Sequence, residues 1–162
     1  MQQIMITIFL FGAAALEVLV LPRVTPFGLF PDLVLGVVLV ASALEGMRAG
    51  FLWAAMGGLA LDLLAASPLG GHFLALVPAV LAGTAARQSI YRSALLPLMG
   101  IVGGLTLAYR AILLFVHWPA RWEAWLDAGV TAMLVGILNL IAVPLVYGIV
   151  LLAGRLGVRR AH

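Results

Sequence analysis

Four ionisable side chains stand inside, or at the edge of, long apolar runs: Glu17, Asp32, Asp62 and Arg110. A charge near the centre of a membrane helix costs about 2.5–3.5 kcal/mol on insertion scales, and less toward an interface. Each such residue therefore needs a partner. The chemistry open to three acids and one base is ion pairing inside the protein or contact with a polar ligand. Asp62 is the most instructive of the four. Ala54, Gly58 and Asp62 recur every fourth residue and share one helix face. Small residues there let a second helix approach closely, and that approach draws Asp62 into protein rather than hydrocarbon.

Arg110 shares a face with Gly103 and Thr106. Asp62 and Asp32 are both candidates for its partner. A plainer reading stays open for Glu17 and Asp32: both lie near helix ends, where carboxylates reach water, and an acid at the start of a helix suits its dipole. Asn139, one turn from Gly136, reads as interhelical glue. With Ala54, Gly58, Gly100, Gly103 and Gly104, these two residues make up the expected helix-packing set. Trp118, Trp122 and Trp125 fall on one face of residues 117–127, the pattern of a short helix lying at the membrane surface as an anchor. Ser67, before Pro68, suits a turn better than a nucleophile. His72 and His117 lack a second ligand at metal spacing. Nothing reads as a phosphate loop or a catalytic pair, so no enzyme, cofactor or metal is expected.

The elements that must position these groups follow from composition. The chain has 162 residues, 65% of them hydrophobic and 9% charged, and a mean hydropathy of +1.21. A soluble domain cannot hide that much apolar surface, so the expected class is an all-α polytopic membrane protein, one transmembrane domain over residues 1–162. The apolar segments run over 4–21, 33–44, 50–66, 73–86, 95–116 and 128–153, giving six transmembrane helices. The second and third, joined by Glu45-Gly46-Met47-Arg48, make either two tight spans or a short re-entrant hairpin. Pro22, Pro26 and Pro31 place a loop after the first segment. The start lacks a basic leader region, so a retained first helix is expected rather than a cleaved signal peptide. Without cysteine there is no disulfide or thiolate-metal framework.

Arginine placement orients the bundle. With both termini on one side, that side holds Arg48, Arg87, Arg92, Arg155, Arg159 and Arg160, against Arg23 and Arg121 on the other. The positive-inside rule makes the termini cytoplasmic. All four intramembrane charges then fall in the outer half of the membrane. The arginines form no stripe and carry no interleaved aromatic platform, which argues against nucleic acid as a partner.

Three motifs in order carry a family resemblance: Pro31-Asp32-Leu33-Val34-Leu35, then Gly57-Gly58-Leu59-Ala60-Leu61-Asp62-Leu63-Leu64, then Ser67-Pro68-Leu69-Gly70, with Ala75-Leu76 following. Their order and spacing, and the two aspartates, resemble the rod shape-determining MreD family. The motifs cover residues 31–76; size and number of spans agree over the whole chain. The resemblance implies a non-enzymatic scaffold of the bacterial elongation machinery in the cytoplasmic membrane, supporting lateral peptidoglycan synthesis and cell shape. Its implied partners are MreC, through its transmembrane helix and juxtamembrane region, and, as complex members, MreB and the synthase RodA with its class B transpeptidase. The family's fold is similar to the substrate-binding subunits of energy-coupling-factor transporters, which implies an outer cavity near the charged cluster. The alternative reading is a transporter subunit that binds a small molecule or lipid in an outward-facing polar pocket.

Overall fold

The computed structural model describes residues 2–25, 29–86, 95–117 and 122–157, with side-chain surroundings at 7–25, 29–86, 101–116 and 126–149. Every regular element among the described residues is helical, and together they form six rods.

Helix α1 covers residues 2–24 in three pieces: Gln2–Ala15, a π-helical turn at Leu16–Val20, and Leu21–Val24. Pro22 accounts for the middle piece. Its nitrogen has no hydrogen to offer the Val18 carbonyl, and its ring crowds that carbonyl in α geometry. The chain widens instead, and the Leu21 N–H reaches five residues back to the Leu16 carbonyl. The helix thus continues past Pro22, where the sequence suggested a loop. Thr25 closes it, giving its N–H and its hydroxyl to the Leu21 carbonyl at 3.0 and 2.6 Å. The widened turn holds Glu17, which is only 5% exposed.

Helix α2, Leu33–Glu45, is buried at every residue from Val34 to Ala43. A helix that is apolar all round belongs inside. It packs against α1 and against α3 (Met47–Ala65), α4 (Gly71–Ala86) and α6 (Trp122–Gly157). Its thirteen residues span about 20 Å, less than the roughly 30 Å of a hydrocarbon core. Gly46 alone separates α2 from α3. Its φ of 96° is open to glycine and disfavoured elsewhere, and its N–H closes on the Ser42 carbonyl at 3.0 Å.

Helix α4 lies in the angle between α2 and α3, and two glycines admit it. A Cβ at Gly83 would stand 2.5 Å from the Leu39 carbonyl oxygen, and one at Gly58 would stand 2.6 Å from the Phe73 nitrogen. Both obstacles are backbone, so no rotamer change relieves them. Helix α5, Leu95–His117, packs on α4 and α6.

Helix α6 runs unbroken for 36 residues, about 54 Å. The sequence suggested a separate surface helix over 117–127 and a span from 128. The structure instead begins one helix at Trp122. Glu123, Ala124 and Leu126 are good helix formers, and nothing before Ala128 interrupts them.

Three helices are long and apolar enough to cross a membrane, over Thr7–Val24, Met47–Ala65 and Leu126–Ile149; shorter apolar helices cover Leu33–Glu45, Gly71–Ala86 and Ile101–Val116. Large apolar side chains such as Leu63, Phe115, Ile141 and Leu145 face outward. An apolar exterior of this kind suits lipid.

Candidate functional site

The start of α2 is the meeting point of four helices. Its first N–H groups have no partner within the helix, and Asp32, the residue before it, does not cap them with its own side chain. Glu17 does so from α1, accepting the Val34 N–H at 2.9 Å. A carboxylate there also meets the positive end of the helix dipole. Asp32 is thereby freed to face away. Its Oδ1 accepts Arg110 Nη2 at 2.6 Å, and its Oδ2 accepts Asn139 Nδ2 at 3.0 Å. Its own N–H donates to Asn139 Oδ1 at 2.7 Å. Asn139 also donates to Thr106 Oγ1 at 2.9 Å, and Thr106 donates to the Val102 carbonyl. Of the two candidates for Arg110, the partner is Asp32.

Asp62 is spent elsewhere. It closes the turn between α3 and α4, accepting the Gly70 N–H at 2.6 Å on Oδ2. On Oδ1 it accepts the Ser67 hydroxyl at 3.0 Å and the His72 N–H at 3.2 Å. His72 Nδ1 lies 2.6 Å from the same oxygen. Ala66 ends α3 in the left-handed region at φ 51°, and its N–H and that of Ser67 both return to the Asp62 carbonyl. Serine, histidine and aspartate thus meet, yet not as a nucleophile and its base. Ser67 Oγ and Asp62 Oδ1 both face Nδ1, at 3.2 and 2.6 Å. An activated serine needs its acid on one ring nitrogen and its hydroxyl on the other.

Between α1, the start of α2, the end of α3, α4 and α5 lies a cavity of about 210 Å³. Its polar wall is Glu17, Asp32, His72, Tyr109 and Arg110; Val18, Pro22, Phe30 and Leu113 are among its apolar lining. The His72 and Tyr109 rings are 6.2 Å apart. Three of the four charges singled out in the sequence therefore face one space, and Asp62 stands behind His72. Among the described residues no group of three potential metal ligands gathers.

The other sequence-derived candidates divide. Ala54, Gly58 and Asp62 are all buried, and Gly58 and Asp62 meet α4 at Phe73 and His72. Pro31 precedes the Asp32 cluster, while Pro68 and Gly70 shape the α3–α4 turn, where the Pro68 carbonyl accepts the Gly71 N–H at 3.1 Å. Gly103, Gly104 and Gly136 make no close helix contact: a Cβ on any of them meets nothing within 4 Å. A small side chain permits close approach without requiring it, and here neighbouring residues set the separation. Gly100, Trp122 and Trp125 lie on helical backbone whose side-chain surroundings fall outside the described residues, and Trp118 lies outside them altogether.

The sequence reading missed Tyr109 as a cavity residue and His72 as the partner of Asp62. Tyr109 could have been found as the neighbour of Arg110. His72 follows the Ser-Pro-Leu-Gly-Gly break, and a turn of that length returns it to the end of α3.

Compared with protein-family models, curated proteins and solved structures, the chain matches none of them.

Proposed function

We propose that the chain is a multi-pass, non-enzymatic scaffold of the bacterial cytoplasmic membrane, serving the cell-elongation complex as the MreD proteins do. In this reading its six helices all cross or enter the bilayer, both termini are cytoplasmic, and a lipid-facing surface receives the transmembrane helix of MreC. RodA with its class B transpeptidase, and MreB, are further members of the assembly. One observation carries the reading. Both aspartates of the MreD-like motifs are consumed in joining helices to one another, Asp32 to Arg110 and Asn139, and Asp62 to the α3–α4 turn. Groups used in this way fix the register of a platform.

The test is depletion in a rod-shaped host, followed by complementation. Loss of the chain rounds the cells in every medium. Wild type restores rods, whereas Gly58→Leu, which forces α3 from α4, does not, and it captures less MreC in a detergent pull-down. Rods that persist after depletion would refute the proposal. The polar cavity favours a second reading, a vitamin-binding transporter subunit, and rescue of depleted cells by a single vitamin is the outcome that would select it.

A further inference from the structure

We infer that the cavity beside Glu17 binds an amphiphile headed by a protonated primary amine, with the ammonium at Glu17 and the tail leaving across the apolar wall. The inference does not depend on the scaffold reading. Charge comes first. The cavity wall carries two carboxylates, Glu17 and Asp32, against one guanidinium, Arg110, and that guanidinium is already bonded to Asp32. Glu17 has only N–H groups at the start of α2, a partial charge of about one half. A cation brought beside Glu17 supplies the matching charge that the helix start alone does not, and an anionic head group does not supply it.

The second observation is independent of the acids. Tyr109 is 2% exposed and lines the cavity, and its hydroxyl bonds to no described group. The fully buried unpartnered atoms among the described residues do not include this oxygen, so it keeps open surface in the cavity, where a ligand atom can reach it. Arg110 Nε, in the same wall, is buried without a partner.

Shape and depth narrow the class. A cavity of about 210 Å³ has room for an aminoethyl phosphate head. Val18, Pro22 and Phe30 give a chain an apolar way out. Glu17 stands seven residues from the end of α1 at Val24, about 10 Å along the helix, so an amine that reaches it enters through the cavity below the level of the helix end. A quaternary ammonium has no hydrogen to give Glu17, so a primary amine is preferred over choline.

The full chain in mild detergent is exchanged into nanodiscs containing phosphatidylethanolamine, phosphatidylcholine or phosphatidylglycerol, and retained lipid is counted by native mass spectrometry. Phosphatidylethanolamine is retained about tenfold over the other two, the value of one charge-assisted hydrogen bond. Glu17→Gln, which can still accept the Val34 N–H, removes that preference. Tyr109→Phe, which deletes one oxygen, weakens it about threefold and keeps the test open should Glu17→Gln fail to fold. Both variants are first checked for the wild-type melting transition. Displacement by octylamine but not by ethanolamine supports the amphiphile; displacement by ethanolamine, which has no tail, assigns the site to a free amine and overturns the amphiphile. Equal retention of phosphatidylethanolamine and phosphatidylcholine by wild type, or an undiminished preference in Tyr109→Phe, overturns it.

Discussion

Replacing Arg110 by Met retains the aliphatic reach of the side chain and deletes the charge that faces Asp32. The Asp32 side chain is 2% exposed and that of Arg110 is 26% exposed. Without the guanidinium, the Asp32 carboxylate keeps only Asn139, and stranding one member of a buried pair costs about 3–5 kcal/mol. Asp32→Asn removes the opposite charge; Arg110 lines the cavity and can turn into it, so the cost falls to about 2 kcal/mol. Two unit charges 4 Å apart interact by about 4 kcal/mol at an effective dielectric of 20. Partial exposure of Arg110 reduces this, leaving an expected coupling of about 2–3 kcal/mol in the double-mutant cycle. The assay is reversible denaturant unfolding in mixed micelles, followed by the fluorescence of the buried Trp53 and extrapolated linearly. A second cycle pairs Arg110→Met with Asp62→Asn and is expected to be additive within about 0.5 kcal/mol. If the Asp62 cycle couples and the Asp32 cycle does not, the assignment of the ion pair, and with it the four-helix junction, is wrong.

Three further substitutions probe separate features in the same unfolding assay. Gly58→Ala sets a Cβ against the Phe73 backbone and is expected to cost about 3 kcal/mol or more, whereas Gly103→Ala, in open space, is neutral or gains up to about 1 kcal/mol of helix propensity; equal effects would deny the close α3–α4 contact. Ala66→Gly relieves a left-handed residue and is expected to stabilise by about 1 kcal/mol, and a loss of stability would show that the α3 cap is misassigned. Pro22→Ala restores an N–H to the Val18 carbonyl. The π turn then reverts to α geometry, Glu17 turns away from α2, and stability drops by about 1–3 kcal/mol as the Val34 N–H loses its acceptor; full stability with rapid hydrogen exchange at residue 22 would contradict that account.

The helices were legible because apolar runs such as 33–44 and 73–86 end at a charge, Glu45 and Arg87, and there the observed bounds follow the marks closely. The places that were not legible have local causes. Pro22 was read as a helix breaker, yet a widened turn absorbs it. Trp122 and Trp125 suggested a surface helix, yet the residues around them continue into α6. For the polar cluster, depth brought Glu17, Asp32 and Arg110 to one level, since rise per residue is fixed. It could not separate Asp32 from Asp62 as the partner of Arg110. That choice depends on the turn after Ala66, whose N–H groups claim Asp62 before any other helix can. Nor could spacing separate Gly58, which touches backbone, from Gly103 and Gly136, which touch nothing, because glycine looks alike in a seam and in a gap.

The order of synthesis runs against the order of locking. Asp32 emerges early from the ribosome, but its amide and one carboxylate oxygen are both held by Asn139, which is made more than a hundred residues later. Thirteen residues are too few for α2 to settle in a bilayer by itself, where about 20 are needed. The innermost rod packs on α3 and α4 first, and the latch at its start closes only when the last one arrives. A chain cut short before position 139 would carry an unlatched centre, a ready mark by which membrane proteases could tell unfinished copies from complete ones.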